Sequence, residues 1–290
     1  MAILDSIGIQ LFSLPRALEA DLEGTLQMLA EMGYSEIELY GPYPFSAESN
    51  KMEWKALTPL LGFQGSGFFG TDESDFLALC RGGGFRIASM HTDLDTLVKH
   101  MPVLAESAQN LGAPFVTLPA IPPEQRASLD DYKRMADIFN DIGKAAKREG
   151  IQFAYHNHGY GLQATNDVIP FEVMMDATDP ETVFLEMDVF WTTAGRADPI
   201  AYLKKYAGRY SMMHLKDMRE LTYFKGDGGS PQEWTALFPA MTTAGNGVID
   251  LEGIVSTAID TGVKHFFVEQ DMVANPEIAL RESYEYLRKL

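Results

Sequence analysis

Histidines and carboxylates are concentrated at the ends of four apolar runs in the second half of the chain. The runs are IQFAYHNHGYG (151–161), TVFLEMDVFW (182–191), YSMMHLKDM (210–218) and KHFFVEQD (264–271). Asp188, His214 and Glu269 occupy equivalent places near the ends of the last three runs. Two carboxylates and an imidazole suit a divalent cation such as Mn²⁺, Mg²⁺, Co²⁺ or Zn²⁺. We therefore predict that these three residues hold one metal ion and do not serve merely as hydrogen-bonded strand ends.

The HNH triplet in the first of these runs allows several roles. Side chains alternate between the two faces of a strand, so His156 and His158 share a face and Asn157 lies on the other. The two histidines could supply a fourth metal ligand, a general acid–base group or substrate hydrogen bonds. The structural alternative is that both imidazoles bond to neighbouring backbone. Asn157 is expected to tie down a loop, with substrate contact as its lesser role.

Lys216 lies on the same strand face as His214 in HLKD. It could hold an oxyanion, or act as a base if its pKa were depressed by the metal. The alternative is a salt bridge to Glu186 or Asp217. Trp191 could form an apolar wall for a sugar ring. The residues predicted to contact substrate are Glu38, His91, Asn157, Glu186 and Trp191.

Strand-like and helix-like stretches alternate along almost the whole chain. Predicted strands fall at 7–13, 35–41, 85–91 and 113–120 and in the four runs above, and predicted helices at 21–33, 95–112, 128–150, 168–177, 198–206, 252–261 and 276–288. Eight strands, each followed by helix, predict a (β/α)₈ TIM barrel formed by one domain over residues 1–290. A doubly wound sheet is the rival, but FSLPRALEAD after the first strand has no glycine-rich phosphate loop. Residues 217–250 form the longest irregular stretch and are a candidate lid.

The composition narrows the class of partner. The 290 residues carry 41 acidic and 23 basic side chains, a net charge of −18, which disfavours binding to nucleic acid. No apolar run is long enough to span a bilayer, so we expect no membrane partner. The one cysteine, Cys80, excludes a thiolate-rich zinc site. The N-terminus lacks a signal-peptide pattern, so we expect a cytoplasmic protein. An export signal that has been removed is the alternative left open.

The chain resembles the sugar phosphate isomerase/epimerase family, the xylose isomerase-like TIM barrels, almost from end to end. The similar stretches are GIQLFSL, GYSEIELYG, YHNHGYG, LEMDVFWTTAGRADP, HLKDM, GNGVIDL and FVEQD. The resemblance implies one divalent metal with ligands from strands five to eight, namely Asp188, His214, Glu269 and a fifth-strand residue. That residue is commonly a glutamate, and here His156 stands in its place, as in a subgroup that carries the YHNH motif.

The family resemblance implies proton abstraction next to a carbonyl through an enediolate, with a sugar or polyol as substrate. Glu269 would be the base and His156 or His158 the acid. An isomerase or epimerase is the first reading. Because the fifth-strand carboxylate is lost, a lyase or dehydratase acting on a keto-sugar, keto-glycoside or keto-inositol is the alternative. A non-catalytic carbohydrate-binding barrel is a third hypothesis, and homo-oligomers are common among relatives.

Overall fold

The computed structural model describes Leu4 and residues 6–290, which are organised around a closed barrel of parallel strands. The strands are β1 (Gly8–Gln10), β2 (Glu36–Tyr40), β3 (Arg86–His91), β4 (Phe115–Leu118), β5 (Gln152–His156), β6 (Val183–Asp188), β7 (Tyr210–Leu215), β8 (Asp217–Met218), β9 (Met241–Thr242) and β10 (His265–Val268). Strands β1 to β7 follow one another around the barrel, and β10 closes it by pairing with β7 and β1. The predicted (β/α)₈ TIM barrel is therefore confirmed.

Helices follow the barrel strands. They are α1 (Pro15–Ala20), α2 (Leu22–Met32), α3 (Glu48–Leu61), α4 (Glu73–Gly82), α5 (Leu94–Lys99), α6 (Met101–Leu111), α7 (Leu129–Arg148), α8 (Pro170–Asp176), α9 (Val189–Ala194), α10 (Pro199–Lys205), α11 (Pro231–Leu237), α12 (Leu251–Thr261) and α13 (Pro276–Leu287), with short 3₁₀ turns at Leu11–Ser13, Pro123–Gln125 and Phe238–Ala240. Within the described part of the chain, no helix combines the length and apolar character needed to cross a membrane.

Local sequence sets the ends of these helices. The Asp21 carboxylate accepts the Gly24 N–H to start α2, and Gly33 ends the helix at a φ of 108°. Ser128 and Asp131 form a reciprocal capping box that starts α7. The first predicted strand is shorter than expected, because the chain turns into a 3₁₀ helix directly after Gln10.

The inward-facing rows of the barrel change from apolar to polar toward the carboxyl ends of the strands. Ala88, Phe115, Ala154, Met212 and Phe267 form one buried apolar cluster. Two residues further along their strands, Ala154 is followed by His156, Met212 by His214 and Phe267 by Glu269. Because residues two apart share a strand face, apolar side chains fill the lower barrel and place the ionisable ones at its mouth.

The segment 217–250 is more ordered than the sequence indicated. Strands β8 and β9 pair as an antiparallel ribbon, and α11 lies between them. The Asp217 carboxylate accepts the backbone N–H groups of Met218, Gly245, Gly247 and Ile249 at 2.8–3.2 Å. The predicted irregular stretch therefore contains two short strands and a short helix, and one buried carboxylate fixes the course of its two ends; a lid role for it stays a prediction.

Candidate metal centre

Four side chains from consecutive positions around the barrel converge at its mouth: His156, Asp188, His214 and Glu269. One ligand atom from each lies within 4.8 Å of the others. His156 Nε2 is 3.5 Å from Asp188 Oδ2, and His214 Nδ1 is 3.7 Å from that oxygen. The Glu269 carboxylate is 2.7 Å from His214 Nδ1. We call these four residues the outer group.

The outer group fits a divalent cation. Among the described residues, His156 Nε2, His214 Nδ1 and Asp188 Oδ2 have no hydrogen-bond partner of adequate geometry, although all three are buried. Bonds of about 2.1 Å to a tetrahedral ion separate its ligand atoms by about 3.4 Å, close to two of the spacings seen here. Two imidazoles and two carboxylates are also a donor set that Mn²⁺, Co²⁺ and Zn²⁺ accept.

Asp188 divides its two oxygens between two tasks. Oδ1 accepts the Trp191 N–H at 2.8 Å and caps α9, which begins directly after β6. Oδ2 is left facing the outer group. Asn157 supports this turn, because its side chain donates to Thr192 Oγ1 at 3.0 Å and accepts the Asp188 N–H at 3.4 Å.

The Pro119 carbonyl determines which nitrogens the HNH histidines present. It lies 2.6 Å from His158 Nδ1 and 3.4 Å from His156 Nδ1. A carbonyl oxygen only accepts, so both rings carry a proton on Nδ1 and present Nε2 as a free acceptor. Burial lowers the pKa of both histidines, that of His158 well below its usual range, with the charge of His156 adding to the effect on His158.

Lys216 is surrounded by carboxylates, which were not the partners expected from sequence. Its Nζ lies 3.0 Å from Asp188, 2.7 Å from Glu269 and 2.8 Å from Asp271. The salt bridge to Glu186 or Asp217 is thus replaced by three others, because the strand end points into the mouth. Burial alone would lower the Lys216 pKa, but Asp188, Asp271 and Glu269 together raise it well above its usual value. A role for Lys216 as a base whose pKa is depressed by a bound metal stays a prediction.

Asp271 is a site residue that the sequence reasoning missed. It lies two residues after Glu269, and because residues two apart along an extended chain point to the same side, this spacing could have identified it. Burial, reinforced by the Glu269 charge, raises its pKa to about 7 despite the opposing effect of Lys216.

Aromatic rings flank His158. Trp191 stacks near it at 5.8 Å between ring centroids, and Trp234 of α11 lies at 4.4 Å with its ring tilted by 36°. The Trp234 indole N–H donates to the Gly228 carbonyl at 2.7 Å, which holds this ring in place. Trp191 is only 1% exposed and also stacks on Phe224, so its ring is part of the wall behind the histidine. Trp234 gave no sequence signal, because it lies in a segment without periodicity.

Glu38, His91 and Glu186 were predicted to contact substrate, and that contact stays a prediction. In the structure they lie beneath the outer group and are bonded to one another. His91 Nε2 is 2.7 Å from Glu186 Oε2 and 3.1 Å from Glu38 Oε1. His214 Nε2 contacts Glu38 Oε2 directly and lies 3.4 Å from Glu186 Oε1. We call Glu38, His91, Glu186 and His214 the inner group; His214 belongs to both groups.

The charge of His91 should make stability depend on pH. Burial alone would lower its pKa, but Glu38 and Glu186 raise it from 6.5 to about 9. A raised pKa stabilises the fold fully below about pH 6.5, and this stabilisation is lost as the pH rises through about 9. Each pKa unit corresponds to about 1.4 kcal/mol, so we expect the metal-free protein to lose about 3 kcal/mol of unfolding free energy over this pH interval.

Urea unfolding of chelator-treated protein at several pH values would measure this loss of stability. His91→Asn should flatten the profile, and equal slopes for the two proteins would contradict the assignment.

Comparison with known proteins identifies the family of this barrel. The family described as xylose isomerase-like TIM barrel matches residues 26–290. The chain belongs to that family. Inosose dehydratase 2 of Bacillus cereus is 31% identical over 165 residues, which are 55% of this chain and 52% of that protein. The chain thus aligns with about half the length of this curated relative.

Solved structures of xylose isomerase-like barrels share the fold. A sugar phosphate isomerase/epimerase from Parabacteroides distasonis superimposes with a TM-score of 0.76 at 22% identity, over 99% of this chain and 94% of that one. The IolI protein, solved with a bound zinc atom, gives a TM-score of 0.68 at 15% identity, over 98% and 95% of the two chains. These likenesses concern the fold.

Proposed function

We propose that this protein is a divalent-metal-dependent isomerase or epimerase that removes a proton next to the carbonyl of a sugar or polyol. The observation that carries the proposal is the outer group, in which His156 Nε2, His214 Nδ1 and Asp188 Oδ2 are buried and converge without a hydrogen bond of adequate geometry among the described residues, although Lys216 Nζ lies 3.0 Å from Asp188 Oδ2. His156, Asp188, His214 and Glu269 would hold the ion. When bound, a divalent cation would polarise the substrate carbonyl and offset the charge of the enediolate. Zinc, manganese, cobalt and magnesium are the candidates.

Two side chains are assigned the proton transfers. Glu269 would take the proton from the carbon next to the carbonyl and return it to the neighbouring carbon. His158, whose Nε2 is the free acceptor, would take a hydroxyl proton from the substrate and deliver it to the original carbonyl oxygen. The proton count balances, because each group ends the reaction as it began. His156 is less suited to this relay, since its Nε2 faces Asp188 within the outer group.

Lys216 has a supporting role in this proposal. An ammonium group has three N–H donors, and three carboxylates surround this one. Contact with a substrate oxyanion would therefore cost one of these bonds. We assign Lys216 to holding Asp188 and Glu269 at the spacing that a metal ion needs.

Elimination is the second candidate, favoured by the match to inosose dehydratases over about half of the chain. Glu269 would again remove the proton next to the carbonyl. His158 would take a proton from water on Nε2 and give it to a hydroxyl or glycosidic oxygen on the next carbon as that bond breaks, and Glu269 would then release its proton to water, so that both groups return to their starting states. The products would be an unsaturated ketone and water or an alcohol.

Keto-sugars, aldoses and inososes incubated in D₂O with Mn²⁺-loaded protein would test both candidates. Isomerisation predicts deuterium next to the carbonyl together with a new sugar, seen by proton NMR. Elimination predicts an ultraviolet-absorbing enone and a released leaving group. Chelator-treated protein and Glu269→Gln are the controls and should be inactive. A sugar that binds but neither exchanges nor reacts would reject both candidates in favour of a carbohydrate-binding barrel.

A further inference from the structure

The inner group adjoins the proposed metal centre and is buried to the same extent as the outer group. Glu38, Glu186 and His214 are 0% exposed and His91 is 6% exposed. Its four members come from β2, β3, β6 and β7, so the group spans the barrel. His214 joins the two groups, with Nδ1 facing Glu269 and Nε2 facing Glu38.

Short contacts between imidazoles and carboxylates hold the inner group together. The His91–Glu186 and His91–Glu38 separations are 2.7 and 3.1 Å, and His214 Nε2 touches Glu38 directly. These are hydrogen-bond distances, shorter than the roughly 3.4 Å between ligands of a tetrahedral ion. The outer group combines separations of 3.5 and 3.7 Å around Asp188 Oδ2 with one of 2.7 Å between His214 Nδ1 and Glu269. The inner group therefore contains hydrogen bonds between His91 and Glu186 and between His214 and Glu38, while Glu38 Oε1 and Glu186 Oε1 lack a partner of adequate geometry among the described residues.

The direction of the hydrogen bonds follows from Glu38. Its Oε2 already accepts from Gln10 Nε2 at 2.9 Å, and an ionised carboxylate only accepts. Gln10 Oε1 accepts the Phe12 N–H at 3.0 Å, so the Gln10 amide is fixed with its NH₂ group toward Glu38. His214 must then donate from Nε2, which leaves Nδ1 as the nitrogen for a cation. His91 bridges Glu38 and Glu186, and its ring stacks on His214 at 5.5 Å and 14°.

We infer that Glu38 is a positioning residue, which accepts the Nε2–H of His214 and thereby directs Nδ1 toward the metal. This inference rests on the proposed metal centre and adds the residue that orients one of its ligands. Partners of this kind fix the tautomer and the ring plane of a ligating histidine, and their loss weakens metal binding by about 10- to 100-fold. Glu38 would thus act on the metal without touching substrate.

Titration of chelator-treated protein with Co²⁺ tests the inference. Glu38→Gln should bind Co²⁺ about 10- to 100-fold more weakly and shift its visible absorption, because the neutral amide is a weaker acceptor and can turn its NH₂ toward His214. Glu38→Asp, which keeps the charge, should recover part of the affinity. Glu36→Gln is the matched control, because Glu36 lies on the same strand but pairs with Arg86 and His265. It should bind Co²⁺ like the wild type.

Nitrogen-15 NMR of labelled histidines supplies a readout that needs neither metal nor activity. The His214 Nε2 resonance should be that of a protonated, hydrogen-bonded nitrogen in the wild type and should shift in Glu38→Gln. Equal Co²⁺ affinities and equal His214 shifts in the two proteins would overturn the inference. Two Co²⁺ ions per chain, the second lost in Glu38→Gln, would overturn it in favour of an inner metal site. A wild type that takes up no Co²⁺ would instead reject the proposed function, and the metal-free shifts would still decide the Glu38–His214 contact.

Discussion

Asp188→Asn is expected to abolish metal binding and to lower the rate of proton exchange next to the carbonyl by about 10³-fold or more. The amide oxygen can still cap α9 at the Trp191 N–H, but the NH₂ group that replaces Oδ2 cannot bind a cation. The rate estimate follows because a bound cation stabilises the transition state by several kcal/mol, and each 1.4 kcal/mol changes the rate by about tenfold. Elemental mass spectrometry and deuterium incorporation measure the two effects.

Asp198→Asn is the matched control for this prediction. Asp198 caps α10 through the backbone N–H groups of Ile200 and Ala201, as Asp188 caps α9, but it lies outside the outer group. It should keep both the metal and the rate. If Asp188→Asn retained a stoichiometric metal ion, the assignment of Oδ2 as a ligand would be wrong.

Lys216→Met is expected to destabilise the metal-free protein by about 3–5 kcal/mol, the cost of leaving buried charges without their partner. Asp188, Glu269 and Asp271 would then face one another without a cation. Burial by itself raises the Glu269 pKa, but Lys216 and His214 lower it from 4.5 to about 2. The stabilisation that the ionised Glu269 gives to the fold is therefore present above about pH 4.5 and is lost as the pH falls through about 2. The deficit of the variant should therefore shrink on acidification.

Urea unfolding of chelator-treated proteins would measure the effect of Lys216→Met. Added Zn²⁺ should restore part of the lost stability, because a cation can replace the ammonium group between Asp188 and Glu269. Lys205→Met is a suitable control, since the Lys205–Glu172 pair is partly exposed and should contribute less than about 1 kcal/mol. Equal losses in the two variants would show that the buried carboxylates do not depend on Lys216.

The barrel and the convergence of Asp188, His214 and Glu269 at its mouth followed from patterns that sequence displays directly, whereas the HNH triplet left several roles open for His156 and only the family resemblance made it the fifth-strand ligand. Alternation along each strand assigns His214 and Glu269 to inward-facing rows, and the parallel order of βα units brings the strand ends together. The depth at which a side chain lies in the barrel could not be predicted in this way, because it depends on the register between distant strands. Glu38 and Glu186 share a face with mouth residues, yet they lie one layer lower and bond to His91.

Contacts made by the backbone or by irregular segments could not be predicted from the sequence as readily. Trp234 reaches His158 from a segment whose course depends on Asp217 binding four backbone N–H groups. Asp271 lies two residues after Glu269, but it belongs to the site because it contacts Lys216, which is 55 residues away in the chain. Such pairings arise from folding and have no local period.

The Pro119 carbonyl has a consequence for anyone who would redesign this protein. It binds both imidazoles of the HNH triplet, yet no side chain takes part. Replacing residue 119 by alanine would leave the oxygen in the peptide group, so a scan of point variants would pass over one of the atoms that orient the histidines. Insertions or deletions between β4 and α7 would move it. The length and course of that loop, more than its composition, are what library design should hold constant.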